Sequence, residues 1–128
     1  MSIVATLLPA LVLVCVSALL GACEPAAPQA QNWRLSPQAQ RGRLLVDQYQ
    51  CGSCHAIPEV AAANGSVGPA LRGFGRRSYI AGHVPNNPEA LAHWIMDPQA
   101  LAPGTAMPSM GVPLEDARAM AAFLHALR

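Results

Sequence analysis

Cys51-Gly52-Ser53-Cys54-His55 is the stretch of this sequence in which residue type and spacing most clearly carry chemistry. Two thiols stand three positions apart, and an imidazole follows the second directly. That spacing is the attachment signature of c-type haem. Each thiol adds to one vinyl group of a porphyrin, and two intervening residues let both sulfurs reach one edge of the ring. The imidazole of His55 is then delivered beneath the ring to bind iron. Other readings of the same residues fare worse. A structural zinc site needs four ligands, and no second cysteine pair follows. A thioredoxin-type dithiol needs a βαβ setting, and the flanks carry no strand pattern. A chance match would leave the surroundings unrelated to haem binding, and they are not. The motif occurs once, so the expected cofactor is a single, covalent haem c.

A six-coordinate electron-transfer haem needs a second iron ligand, and a soft thioether that stays bound in both oxidation states suits it. Asp97 to Pro113 abandons periodicity and holds Pro98, Pro103, Gly104, Pro108, Gly111 and Pro113, which makes a stiff loop. Within it, Pro103-Gly104-Thr105-Ala106-Met107-Pro108 offers Met107, flanked by small Ala106 and by Pro108, which fixes the backbone. Met110 is the rival, and Met96 and Met120 fall in helical patterns where packing explains them. An iron-bound imidazole usually donates its other N–H to a carbonyl. Gly68-Pro69-Ala70-Leu71 supplies the Pro69 carbonyl for that task, an ordinary Gly-Pro turn being the alternative. Haem carries two carboxylates whose burial calls for donors. Arg76 is placed ahead of Arg77 as that donor, against a solvated arginine pair. Trp94 is read as core or, more sharply, as a neighbour of the haem.

Helices must position these groups. Ser36-Pro37 reads as an N-cap and first helical position, opening a helix to about Tyr49 with Leu44, Leu45 and Tyr49 or Gln48 on its apolar side. Asn87-Pro88-Glu89 opens a second, which runs to about Asp97 with Leu91, Trp94 and Ile95 on one face. Met120, Phe123, Leu124 and Leu127 form the apolar stripe of a last helix. Gly42 lies inside the first helix, where it is most useful at a close crossing, expected near Phe123 or Leu124. Ile57 to Ser66 reads as a loop with an Asn64-Gly65 turn, and Ser78 to Ala81 as a short helical piece. His83, His93 and His125 are scattered, with solvent exposure the default for the two on helices, and no carboxylate pair or nucleophile accompanies them.

The 128 residues leave room for one domain, expected over residues 35–128. Residues 1–22 form a nearly continuous apolar run read as a signal peptide, an uncleaved membrane anchor being the alternative. Leu20-Gly21-Ala22-Cys23 resembles a bacterial lipobox, which implies lipid on Cys23 and a membrane partner. Residues 23–34 have two prolines and few large apolar residues, and read as a flexible tether. The domain is therefore expected outside the cytoplasm, in the periplasm or on the outer face of the bacterial cytoplasmic membrane. Formal charge is +1 and all eight basic residues are arginine, so no nucleic-acid partner is indicated and no lysine-ringed docking face exists.

With the haem motif, Gly68-Pro69-Ala70-Leu71, Trp94, the Met107 loop and Phe123-Leu124 in place, the chain from Leu35 to Arg128 resembles a class I c-type cytochrome. The resemblance implies an all-α cytochrome c fold, three to five helices wrapped around one haem, with Pro69 on His55 and Met107 as distal ligand. From Arg76 to Gly111, through Ile80-Ala81-Gly82, Val84-Pro85-Asn86 and Trp94-Ile95-Met96-Asp97-Pro98-Gln99, it is similar to the cytochrome c domain fused to subunit II of bacterial haem–copper oxidases. Paired membrane helices and a copper-binding β domain are lacking, so the likeness implies the fold and a respiratory setting rather than oxidase activity. The expected role is a membrane-tethered carrier of single electrons between redox proteins, not an enzyme. A haem enzyme or gas sensor with a labile distal ligand is the alternative.

Overall fold

Ser36 caps the first helix, α1 (Pro37–Gln48): its Oγ accepts from the Ala39 N–H at 3.2 Å, and Pro37 fills a position whose N–H would go unpaired. The computed structural model describes residues 35–128. The expected signal segment 1–22, and the tether 23–34 with Cys23, lie outside the described residues. The buried face of α1 is Ala39, Gly42, Leu45 and Val46. Leu44, expected on that face, is 61% exposed, because it sits roughly 200° around the helix from Gly42.

The other helices begin as their caps dictate. Asn87 Oδ1 accepts from the Ala90 N–H at 2.9 Å and starts α2 (Pro88–Met96), whose buried side is Leu91, Ala92, Trp94 and Ile95. Asp97 ends α2 and immediately caps a single turn, α3 (Pro98–Leu101), by accepting from Ala100 N–H at 3.3 Å. That turn interrupts a segment expected to be wholly irregular. Asp followed by Pro is itself a cap and first helical position, so helix re-forms briefly. The last helix, α4 (Leu114–Ala126), carries Glu115 and Asp116 in its first turn, where the helix dipole favours them.

Both α1 and α2 pack on α4. Gly42 fits because it has no side chain: a Cβ there would lie 1.9 Å from the Ala119 carbonyl oxygen. The crossing is thus at Ala119 and Met120, one turn before the expected Phe123 or Leu124, since two small residues let the backbones meet. Phe123, Leu91, Met120 and Val46 are among the largest fully buried side chains of the core. Arg41 pairs with Glu115 at 3.2 Å and with Asp116, and the Tyr49 hydroxyl donates to Asp116 at 3.2 Å, tying α1 to the start of α4. Arg118 grips Glu89 through two bonds of 3.1 and 3.0 Å, tying α4 to α2. These ion pairs are exposed and contribute little individually.

The expected helical piece at Ser78–Ala81 is instead strand. β1 (Tyr79–Ile80) pairs antiparallel with β2 (Val84–Pro85), Tyr79 opposite Pro85 and Ile80 opposite Val84. Ala81 and Gly82 between them both take positive φ, which a helix cannot continue through. Apart from this hairpin the fold is helical, with four α-helices among the described residues, as the class I cytochrome resemblance implies.

Candidate functional site

At the end of α1, Gln50 adopts a left-handed conformation and the chain turns into a 3₁₀ turn over Cys51–Ser53. This places both thiols and His55 within one bend, closed by His55 N–H to Cys51 carbonyl at 3.0 Å. The following loop is laced back onto the bend. Gly65 N–H donates to Gly52 carbonyl at 3.0 Å, Gly68 to Cys54 at 2.8 Å and Leu71 to Ala56 at 2.8 Å. Gly68 lies flat against the imidazole, for a Cβ there would fall 2.3 Å from His55 Cε1. His55 Nδ1 is 2.8 Å from the Pro69 carbonyl oxygen. A carbonyl only accepts, so Nδ1 carries the proton and Nε2 is left with its lone pair.

These groups open onto a cavity of about 350 Å³. Cys51, Cys54, His55 and Pro69 line it, together with Phe74, Arg77 and Tyr79 from the hairpin side, Leu91 and Trp94 from α2, Met120 and Leu124 from α4, and Met107 and Met110 from the loop after α3. The volume falls in the range of cofactor pockets, and most of the wall is apolar. Both cysteines are free thiols, and burial pushes the Cys51 thiol above its ordinary range, with Cys54 adding to the shift. Among the described residues no group of three or more His, Cys, Asp or Glu side chains could hold a metal ion. Two thiols, one imidazole nitrogen, a thioether and apolar walls form a donor set that fits haem c.

The structure brings Cys51, Cys54, His55, Pro69, Trp94 and Met107 to this one cavity. Trp94 is buried and is at once core and cavity wall. Arg76 is exposed and is not on the wall; its neighbour Arg77 is. Arg76 is the last residue of the 3₁₀ turn over Phe74–Arg76, whereas Arg77 leaves that turn with extended backbone; residue type alone could not separate the two. Met107 is half-buried and packed against the core, whereas Met110 is 48% exposed.

Sequence reasoning missed the side chains that fix the Met107 loop. Gln99 on α3 accepts from Gly104 N–H at 3.0 Å and donates to the Thr105 carbonyl, while Ser109 Oγ donates to the Met96 carbonyl at 2.7 Å. The Met107 N–H meets Thr105 Oγ1 at 3.4 Å. The signal that could have found Gln99 is Asp97-Pro98, a cap and first helical position that open a helical turn beside the loop. His125 was also misjudged as exposed. It is half-buried, edge-on to Phe74 with ring centroids 6.3 Å apart, and burial pushes its pKa down. His93 is exposed, and His83 lies 3.0 Å from the Ala81 carbonyl and 3.3 Å from that of Leu101.

The family profile described as cytochrome c matches residues 39–128. Among curated relatives, cytochrome c oxidase subunit 2 of Alkalihalophilus pseudofirmus is 40% identical over 91 residues, covering 70% of this chain and 26% of that protein. Cytochrome c oxidase subunit 2 of Bacillus subtilis is 31% identical over 90 residues, covering 69% of this chain and 25% of that protein. The chain thus spans about a quarter of the length of these relatives. No solved structure matches it.

Proposed function

The chain belongs to the cytochrome c family, and we propose that it is a membrane-tethered carrier of single electrons, built on one haem c and performing no bond chemistry of its own. The observation that carries this is the meeting of Cys51, Cys54, His55 and Met107 on one apolar cavity. When bound, haem c supplies an iron that takes up and releases one electron. Cys51 and Cys54 would hold the ring by thioether bonds, and His55 Nε2 and Met107 Sδ would hold its iron. The Pro69 carbonyl fixes the tautomer and orientation of His55. Leu91, Trp94 and Met120 keep water from the ring, and the paired nitrogen and sulfur ligands raise the potential. With His55 and Met107 holding the iron, no position would remain for a substrate, so the group would supply electron transfer alone.

Cys23 is proposed as the lipidated first residue of the mature protein, holding the domain at the outer face of the bacterial cytoplasmic membrane. No helix among the described residues is long and apolar enough to cross a membrane. The kinship to oxidase subunits supports a haem–copper oxidase or similar membrane complex as redox partner.

Acid–acetone extraction should leave haem on the protein at one per chain, and Cys51→Ala with Cys54→Ala should abolish attachment. The long-wavelength ferric band of a thioether-ligated haem should vanish in Met107→Ala and persist in Met110→Ala. Fast, stoichiometric carbon monoxide binding by the native ferrous protein would overturn the carrier role in favour of a sensor or enzyme. Mass spectrometry of the membrane fraction should find acylated Cys23 at the N-terminus; an intact Met1 would replace the lipid by an uncleaved anchor.

A further inference from the structure

We propose that His83, in its protonated form, is a positioning residue for Met107: it clamps the hairpin turn to the end of α3 and so steadies the loop that carries the thioether, an inference that rests on the haem reading above. The ring meets two carbonyl oxygens at once. Its Nδ1 is 3.0 Å from the Ala81 carbonyl, and its Nε2 is 3.3 Å from that of Leu101. A carbonyl oxygen only accepts, and a neutral imidazole has one N–H and one lone pair. The neutral ring can therefore satisfy one contact, and at the other it sets a lone pair against a lone pair. The imidazolium donates at both.

The two carbonyls belong to different parts of the cavity wall. Ala81 lies in the turn between β1 and β2, and Tyr79, Ile80 and Ala81 all line the cavity. Leu101 is the last residue of α3, and its carbonyl accepts from no backbone N–H among the described residues. From Leu101 a short run of bonds reaches the ligand. The Ala102 carbonyl accepts from Thr105 N–H at 3.1 Å, and Thr105 Oγ1 meets the Met107 N–H at 3.4 Å. Thr105 and Met107 line the same cavity. Gln99 braces this loop from within α3, whereas His83 ties α3 itself to the hairpin.

Histidine changes charge between about pH 5 and 8, so the clamp closes as pH falls through that range. The ring is exposed and exchanges its proton with solvent directly. The charged and titratable groups on the elements it joins are engaged elsewhere or exposed. Asp97, at the start of α3, accepts from Ala100 N–H. Arg77, just before β1, is held on the Ala70 carbonyl and the Phe74 ring, while Arg76 and Tyr79 are exposed. Among the described residues no carboxylate forms an ion pair with His83. The bond to Leu101 is the one released on deprotonation, because it is the longer and the Ala81 contact lies within a single turn.

The full-length holoprotein is compared as wild type, His83→Gln and His93→Gln, the last removing an exposed histidine on α2. Covalent haem is assayed first by acid–acetone extraction, and its absence from wild type would sink the haem reading, and the proposal with it, before any rate is measured. Carbon monoxide can enter the ferrous protein only as fast as Met107 leaves. Entry into wild type is expected to be several-fold slower at about pH 5.5 than at about pH 8. His83→Gln should show the fast rate at both, and His93→Gln should follow wild type. A wild-type rate that ignores pH, or an unchanged pH profile in His83→Gln, would overturn the proposal. Nuclear magnetic resonance of the ferrous wild type reads the clamp without any variant. The Ala102 amide, whose nitrogen shares a peptide unit with the Leu101 carbonyl, should shift in step with the His83 ring as pH rises. An Ala102 resonance that stays still while His83 titrates would also overturn the proposal.

Discussion

At the α1–α4 crossing, helix backbone meets helix backbone over Gly42; on the loop wall of the cavity, backbone meets an imidazole over Gly68. Both glycines leave no room for a methyl group, but the neighbours differ in how they can respond. Ala119 is part of a helix whose hydrogen bonds resist displacement, so a clash there must separate two elements of the core. His55 is a side chain with its own torsions, so a clash there turns a ligand while leaving the helices packed. The first region sets whether the domain folds. The second sets whether the folded domain presents its nitrogen correctly.

The largest effect expected is from Gly42→Ala. Its new Cβ would lie 1.9 Å from the Ala119 carbonyl oxygen, and relief requires the helices to part. A loss of about 3 kcal/mol is expected in denaturant unfolding, at the upper end of overpacking costs. A near-wild-type midpoint would break the comparison, because it would mean that the crossing is soft.

Gly68→Ala should cost less stability, about 1–2 kcal/mol, yet damage the site more. Its Cβ meets His55 Cε1 at 2.3 Å and Nδ1 at 2.7 Å, so the ring must swing and the bond to Pro69 must weaken. The ferric spectrum should lose its six-coordinate character while far-ultraviolet circular dichroism is unchanged. Equal damage to both signals would erase the distinction between frame and loop.

Gln99→Ala sharpens the loop side further. It removes two hydrogen bonds at Gly104 and Thr105, for a stability change of about 1 kcal/mol from exposed positions. Slow carbon monoxide entry in the ferrous protein should become faster, because Met107 sits two residues beyond Thr105, the end of the lost brace. Unaltered ligand entry would show that Pro108 alone holds the thioether.

The smallest effect concerns His125, which sits on α4 but packs on Phe74 of the loop wall. Burial lowers its pKa in the folded state, so the unfolded chain binds more protons as pH falls. Stability should therefore drop as pH passes below about 6.5, the ordinary histidine value, toward the depressed folded one. His125→Gln should flatten that slope between about pH 7.5 and 5. An identical slope in the variant would assign the acid sensitivity elsewhere.

Local chemistry made much of this protein legible in its sequence. The Cys51 to His55 spacing specifies its cofactor because the thiols and the imidazole act within one bend of chain. Ser36-Pro37 and Asn87-Pro88 specify helix starts because a cap satisfies N–H groups only three residues away. The helical class follows from periodicity within single segments. Tertiary structure decided what depends on distant neighbours. It moved the crossing to Ala119, since only the packed helices reveal which small residues face each other. It turned Leu44 outward, made Tyr79–Ile80 a strand by pairing it with Val84–Pro85, and put Gln99 against the Met107 loop. Arg76 and Arg77 are adjacent and chemically identical, and no local rule separates them. The backbone direction after Phe74, fixed by Asn86 from twelve residues away, puts Arg77 on the cavity wall and leaves Arg76 in solvent.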